Sequence, residues 1–378
     1  MHIGLNAHLL SSQAGYRAAG IHSYIDQLLK HLPAAAPSDW TFTAFVGATT
    51  RASYDGIKLR QSYWDTESAI RRIIWEQLAQ PFQLGEFDLY HALAFVAPLW
   101  LRAPMVVTVY DLTFIRYPAG LPAPRRLYLR LFTGLTCRRA RRVLAISHST
   151  AHDLTELLNV PTDKIDVATP GYDDALYQPL PVEQVAAFRQ RKGLPERFWF
   201  FVGTLEPRKN LTTLLEAYAA LPKSERLPLI LAGGKGWLYD DIFAAVERYN
   251  LSSDVRFPGF LPAQELPLWY NSAEVFLYPS VFEGFGLPVL EAMACGTPVI
   301  TANVSSLPEV AGNAGLCVAP HDRAAWTAAL RMAYHDADWR RQAHQRGLEE
   351  ARCYTWQATA AQTVASYERA RNGVSMES

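Results

Sequence analysis

The stretch RFWFFVGTLEPRKNLTTLLEAYAAL, residues 197–221, reads as a short apolar strand, a tight polar turn and an amphipathic helix in immediate succession. The same alternation runs through the chain, and it is the pattern of parallel sheets covered by helices on both faces, an α/β architecture. Upstream, strands are predicted near 2–8, 40–47, 87–92, 104–110 and 142–147, with helices near 20–32, 67–80, 123–139 and 149–159. DVATPGYDDALYQPLP (166–181) then interrupts the rhythm with prolines, a glycine and paired aspartates. A second strand–helix series follows, with strands near 198–204, 228–232, 254–258, 274–278, 298–301 and 315–318. The expectation is two doubly wound Rossmann-like domains, 1–177 and 178–353. Residues 354–378 carry one more amphipathic helix, whose destination the sequence leaves open, packing back on the first domain being one option.

Composition narrows the function. At roughly 150 residues per domain, 378 residues predict two or three domains, and 49% hydrophobic residues supply ample material for two cores. Lys plus Arg number 36 and Asp plus Glu 36, so no global field draws the chain onto nucleic acid or an anionic membrane. The aromatics are too scattered for nucleic-acid stacking. Cys137, Cys295, Cys317 and Cys353 fit neither a paired metal-binding spacing nor a disulfide framework, and read as reduced thiols. MHIGLNAHLL lacks a basic then apolar leader pattern, and no run approaches ~20 apolar residues. The expected location is cytoplasmic.

In open α/β sheets ligands sit beyond the carboxyl ends of the strands, so chemistry belongs in the turns after them. Arg208 and Lys209 stand just before the helix that Asn210 is placed to cap. Cations there oppose the helix dipole unless an anion sits nearby. A bound diphosphate and a solvated basic loop both account for them. The turn PSVFEGFGLPVLEAMACGTPVI (279–300) says more. Pro288 suits the first helical position and Gly296 a helix stop. Amides around Gly286, Leu287, Val289 and Leu290 would then form an anion-binding concavity, with Gly284 and Gly286 allowing close approach. Glu283 and Glu291 flank this entry eight positions apart, roughly 12 Å or less along a helix. That separation suits two ends of one extended ligand better than a shared acid–base pair. Their carboxylates can accept hydrogen bonds from sugar or ribose hydroxyls. A capping box with Ser280 is the plain alternative for Glu283, and a favourable charge near a helix start for Glu291.

GTLEPRKN, EGFGLPVLEAMACGTPVI and SSLPEVAG together closely resemble glycosyltransferase family 4, nearest the branch that contains O-antigen mannosyltransferases. YHALAFVAPL (90–99), TVYDLTF (108–114), ISHSTAHDL (146–154) and TPGYD (169–173) sit where that family has its first-domain motifs. The resemblance implies the GT-B fold, two Rossmann-like domains facing a central cleft, and retaining transfer from a nucleotide diphosphate sugar. It implies that Glu283 contacts hydroxyls of the transferred sugar, Glu291 the ribose, and Arg208 with Lys209 the donor diphosphate. It also places Gly20, in the loop before helix 21–32, against the diphosphate, and the backbone of Phe285, Gly286 and Leu287 against the distal phosphate or sugar. For Gly20, an ordinary turn or cap glycine is the alternative. The one Asp-x-Asp, Asp336-Ala337-Asp338, lies between helical stretches and reads as a helix cap. No cofactor and no divalent metal are expected.

Where many relatives carry a histidine, this chain has Tyr110, directly before Asp111. Tyrosine can donate a hydrogen bond but does not titrate easily at neutral pH. Tyr110 supplies positioning, or Asp111 or His91 helps, or activity is impaired; a core aromatic at a strand end is the plain alternative for Tyr110. His148 and His152 read as exposed and structural. From Arg125 to Arg142, seven arginines alternate with leucines and aromatics. Such a helix lies on an anionic membrane and collects a lipid-linked acceptor, or it packs on the core with a solvated basic face.

The leading expectation is a retaining glycosyltransferase acting on a glycan or polyprenyl-linked acceptor, with mannose from GDP-mannose as the leading donor. A nucleotide-sugar epimerase of the same fold and a catalytically silent nucleotide-sugar-binding protein are the competing readings.

Overall fold

The computed structural model describes residues 1–10, 19–64, 66 and 68–372, with only the backbone of Ala19 and Ala69. The chain divides into two compact units, one formed by residues 1–171 and 355–378 and the other by Tyr172–Tyr354. Each is built on its own parallel sheet.

In the first unit the strands are β1 (His2–Asn6), β2 (Thr41–Val46), β3 (Ile57–Gln61), β4 (Leu89–Ala92), β5 (Met105–Val109), β6 (Arg142–Ala145) and β7 (Ile165–Val167). They line up in the order β3-β2-β1-β4-β5-β6-β7 with every pairing parallel. Such strands bury both faces and so read as short apolar runs, as MVVTV in β5 does. Two strands were not foreseen. β3, IKLRQ, carries only two apolar residues, and β7, IDV, has three residues with Asp166 at its centre. Both are edge strands, where burial no longer imposes an apolar pattern.

The helix expected over 67–80 also differs. Ala69–Ile74 is α-helical, Trp75–Ala79 widens into a π turn and Gln80–Gln83 tightens into a 3-10 turn containing Pro81. Proline has no amide to continue the ladder. The π turn brings Glu76 into the interior, where the amphipathic stretch 67–80 reads as an ordinary helix.

The helix Trp356–Asn372 completes the first unit. Trp356 meets Tyr24 edge to face at 5.4 Å, and Thr359 donates to the Thr169 carbonyl at 2.6 Å. Ser366 donates to Asp166, which Arg142 and Arg369 also hold. Gly171, where the chain leaves this unit, must be glycine: a Cβ there would lie 2.3 Å from the Trp356 amide. The outgoing chain and the returning helix therefore touch backbone to backbone. The division falls at 171/172, six residues before the predicted boundary, because the extended segment after it belongs to the second unit.

The second unit holds β8 (Trp199–Val202), β9 (Leu229–Ala232), β10 (Val255–Gly259), β11 (Val275–Tyr278), β12 (Val299–Ala302) and β13 (Leu316–Val318), in the order β10-β9-β8-β11-β12-β13 and all parallel. The chain winds outward from β8 in one direction and from β11 in the other, so the order reverses between these two neighbours. Open sheets bind ligands at such a point. Phe200, Trp269, Tyr270 and Phe276 pack ring against ring beneath it. That aromatic core fixes the two strand ends in register.

Candidate active site

The turns after β8 and β11 meet at this reversal. Pro207–Lys209 forms a 3-10 turn after β8, and its Arg208 carbonyl accepts from the Val281 amide at 2.9 Å, tying it to the loop after β11. The side chains converge across the same seam. Glu283 receives Arg208 Nη1 on Oε2 at 2.8 Å and Lys209 Nζ on Oε1 at 2.5 Å. Ser280 Oγ donates to Oε1 as well, at 2.5 Å. Lys209 also donates to the Tyr278 hydroxyl at 2.7 Å and lies over that ring. The sequence reading of Arg208, Lys209 and Glu283 as neighbours in one site thus has its geometry. It did not single out Glu206, which takes Arg208 Nε and Nη2 at 3.0 and 2.7 Å, nor Tyr278. Glu206 lies two residues before Arg208 in the same turn, so the signal was in the quoted segment.

The cluster is nearly dry, with Lys209 only 5% exposed. Burial alone would raise the Glu283 carboxyl, but Arg208 and Lys209, with Ser280, hold it down at about 2. Burial pulls the Lys209 ammonium below its ordinary value, against the upward pull of Glu283. Two cations and two carboxylates leave the cluster formally neutral, and its hydrogen-bonding groups are preset in a low-dielectric pocket.

Ser280 donates to Glu283 itself, and the helix begins only at Leu287, so there is no capping box here. Asn210 differs from expectation too. It occupies the cap position of the helix Leu211–Ala219 in a left-handed conformation, and its amide donates to the Pro279 and Pro320 carbonyls instead of capping that helix.

Gly286 caps the helix Leu287–Ala294 at φ 116°, a backbone region closed to most side chains, and an added Cβ would sit 3.0 Å from Leu307 Cδ2. The Val289 and Leu290 amides already bond to the Gly286 carbonyl, so the expected concavity narrows to the amides of Gly286 and Leu287. Ser306 Oγ fixes the loop by donating to the carbonyls of Glu283 and Phe285. Phe285 turns its ring inward against Tyr354, which leaves only its backbone for a ligand, while Gly284 is partly exposed. Glu291, one turn into the helix, accepts from the Tyr270 hydroxyl at 2.9 Å, and Tyr177 also bonds to it. Burial pushes its carboxyl up to about 7, against those two hydroxyls.

The first-unit candidates fall out differently. Gly20 is the second residue of the helix Ala19–Ala35, exposed and not in a loop, and residues 11–18 before it lie outside the described residues. Tyr110 is buried, donates to the Leu93 carbonyl at 2.7 Å and packs edge-on against Tyr24, the arrangement of a core aromatic. Asp111 accepts from the Thr113 amide at 2.7 Å and opens a turn. His91 is wholly buried with its ring nitrogens at Tyr367 and Thr108, and burial lowers it to about 3, so it is a neutral core residue rather than a relay. His148 and His152 are exposed. Asp336 caps the helix Ala337–Ala351, and Asp338 pairs with Arg341.

The basic segment forms the helix Ala123–Arg139. Thr133, Thr136 and Cys137 face the core, while Leu127 and Leu131 are exposed beside Arg125 and Arg130. A groove of about 440 Å3 runs along this face between Leu131, Leu135, Arg138 and Leu157. No helix among the described residues is long and apolar enough to cross a membrane.

Comparison with known proteins identifies the family and the fold. The family model for glycosyl transferases group 1 matches residues 184–350, and that for glycosyltransferase family 4 matches residues 18–176. The chain is 35% identical over 282 residues to O-antigen chain mannosyltransferase B of Escherichia coli, covering 74% of each protein. It is 31% identical over 255 residues to the serotype-specific mannosyltransferase WbdA of Escherichia coli, covering 66% of this chain but 31% of that protein. Among solved structures, sucrose-phosphate synthase from Thermosynechococcus elongatus superposes with a TM-score of 0.78 at 24% identity, over 97% of this chain and 98% of that one. Anabaena Alr3699/HepE, in complex with UDP and glucose, gives 0.74 at 19% identity over 97% and 99%. These structures share the fold.

Proposed function

The chain is a member of glycosyltransferase family 4, with the GT-B fold, and on that premise we propose that it moves mannose from GDP-mannose to a glycan or polyprenyl-linked acceptor with retention of anomeric configuration. The observation that carries this reading is the convergence of Arg208, Lys209 and Glu283 at the strand reversal of the second sheet. Departure of a nucleoside diphosphate concentrates negative charge on its distal phosphate. Arg208 and Lys209, already desolvated and aligned, stabilise that charge without reorganising, together with the amides of Gly286 and Leu287. Glu283 stays ionised and accepts hydrogen bonds from hydroxyls of the transferred sugar. Glu291 takes the ribose hydroxyls, displacing one of its tyrosine partners. In this reading Arg208 and Lys209, rather than a divalent cation, meet the diphosphate charge.

The choice of mannose rests on relatives that are named mannosyltransferases. Placement at the cytoplasmic face of a membrane is part of the same proposal. Leu127 and Leu131, framed by Arg125, Arg130 and Arg138, form a face suited to anionic lipid and to a lipid-linked acceptor.

A thermal-shift panel of GDP-, UDP- and ADP-sugars, followed by nucleotide release in the presence of lipid-linked oligosaccharide acceptors, tests the whole reading. GDP-mannose should raise the unfolding midpoint most. Stabilisation without nucleotide release on any acceptor would favour a silent binding protein, and stabilisation by another sugar nucleotide would replace the donor.

A further inference from the structure

We propose that Tyr270 and Tyr177 are positioning residues for the donor: Tyr270 fixes the Glu291 carboxylate, and Tyr177 occupies it until a ribose hydroxyl takes over. The inference rests on the donor reading above and assigns the exchange at Glu291 to one of its two partners. All three residues lie within the second unit. Tyr270 is the partner that stays. It is wholly buried on the helix Leu266–Ser272, and its ring meets Phe200 at 5.7 Å and Phe276 at 5.3 Å. Its carbonyl accepts from Thr297 Oγ1 at 2.7 Å. Withdrawing that ring would open a hole in a close-packed aromatic core. The Tyr270 hydroxyl, donating to Glu291 Oε2 at 2.9 Å, therefore sets where the carboxylate points.

Tyr177 is held differently. It lies in the turns and extended chain between Gly171 and the helix Val182–Lys192, a segment without helix or strand. Its own amide and that of Leu176 turn back to the Asp173 carbonyl at 2.8 and 3.1 Å. Further on, the Leu180 amide donates to Asn271 Oδ1 at 2.9 Å, and Asn271 Nδ2 donates to the Gln178 carbonyl at 3.0 Å. The Tyr177 ring meets Tyr270 edge to face at 6.1 Å, and its hydroxyl bonds to Glu291. A segment tied by a few local bonds shifts more readily than a helix packed on a sheet. Glu291 is itself partly exposed, so a ligand reaches the carboxylate. A phenol and a ribose hydroxyl offer that carboxylate the same kind of donor. Tyr177 thus stands in for the ligand, keeping the carboxylate satisfied in its absence and competing with it on arrival.

The two tyrosines are therefore expected to act with opposite sign. The test is titration calorimetry of GDP and of 2′,3′-dideoxy-GDP against wild type, Tyr177→Phe and Tyr270→Phe at pH 8, above the value of about 7 at which Glu291 ionises. Tyr177→Phe should bind GDP about fivefold more tightly than wild type, since the ribose no longer displaces a hydroxyl. Tyr270→Phe should bind it about tenfold more weakly, since the carboxylate loses its anchor. Both variants should bind the dideoxy nucleotide as wild type does, because it brings no ribose hydroxyls to Glu291. GDP affinity unchanged or weakened in Tyr177→Phe, or the same change for both nucleotides, overturns the inference and leaves Tyr177 a packing residue. If Tyr270→Phe does not fold, Tyr177→Phe decides. A wild type that prefers UDP or ADP changes the base, and the ribo and dideoxy forms of that nucleotide then decide. A wild type that binds none of the three removes the donor reading, and this inference falls with it.

Discussion

Lys209 and Glu283, 74 residues apart in sequence, meet at 2.5 Å in a pocket where neither side chain sees appreciable solvent. The pair bonds the turn after β8 to the turn after β11, so one contact both joins the strand ends and sets the charge that a diphosphate would meet.

Replacing Glu283 by Gln should lower stability by about 3 kcal/mol at pH 7, because two buried cations lose their main counter-charge. The carboxyl sits at about 2 in the folded chain against 4.5 when free. Its stabilisation is therefore present above pH 4.5 and lost as pH falls from there toward 2. Thermal unfolding between pH 3 and 7 should show a flatter acid limb in Glu283→Gln than in wild type; parallel limbs would contradict the assignment.

Lys209→Ala leaves Glu283 paired with Arg208, so the chain should still fold. Transfer should fall about 100-fold or more in kcat/KM, the scale for removing a charge that faces a departing anion. Steady-state nucleotide release measures it, and a loss below tenfold would move Lys209 from the reaction to the scaffold.

Glu291 should make donor binding pH-dependent. Its carboxyl titrates near 7 in the folded chain, and only the ionised form accepts from both ribose hydroxyls. GDP-mannose affinity should rise from pH 6 to 8, and Glu291→Gln should flatten that rise while weakening binding. Stability runs the other way. With a folded value above the free 4.5, Glu291's contribution is full below pH 4.5 and lost as pH climbs through 7.

Tyr110→Phe removes one buried hydrogen bond to Leu93 and should cost about 1 kcal/mol of stability. Turnover should stay within a few-fold of wild type. A drop of about two orders of magnitude in kcat without a fall in melting temperature would return Tyr110 to the chemistry.

The fold was legible because strands buried on both faces must be apolar runs, as FWFFV and MVVTV are. It was illegible where that constraint lapses, in IKLRQ and IDV at the sheet edge, and where a π turn interrupts helical spacing before Pro81. Within the site, residue types and turn positions pointed to Arg208, Lys209, Glu283 and Glu291. They did not reveal that Glu206 shares Arg208, that Tyr177 and Tyr270 hold Glu291, or that Asn210 spends its side chain on two distant carbonyls. Those are long-range pairings that no local pattern encodes.

The return of Trp356–Asn372 to the first unit has a consequence for synthesis. The ribosome releases β1–β7 early, yet the piece that shields Tyr24 and engages Asp166 emerges after the whole second unit. The middle of the polypeptide can settle first, while its amino-terminal portion waits for the final residues to be translated. An amino-terminal fragment ending near 171 should consequently be aggregation-prone, and tethering residues 355–372 to it through a flexible linker should rescue its solubility.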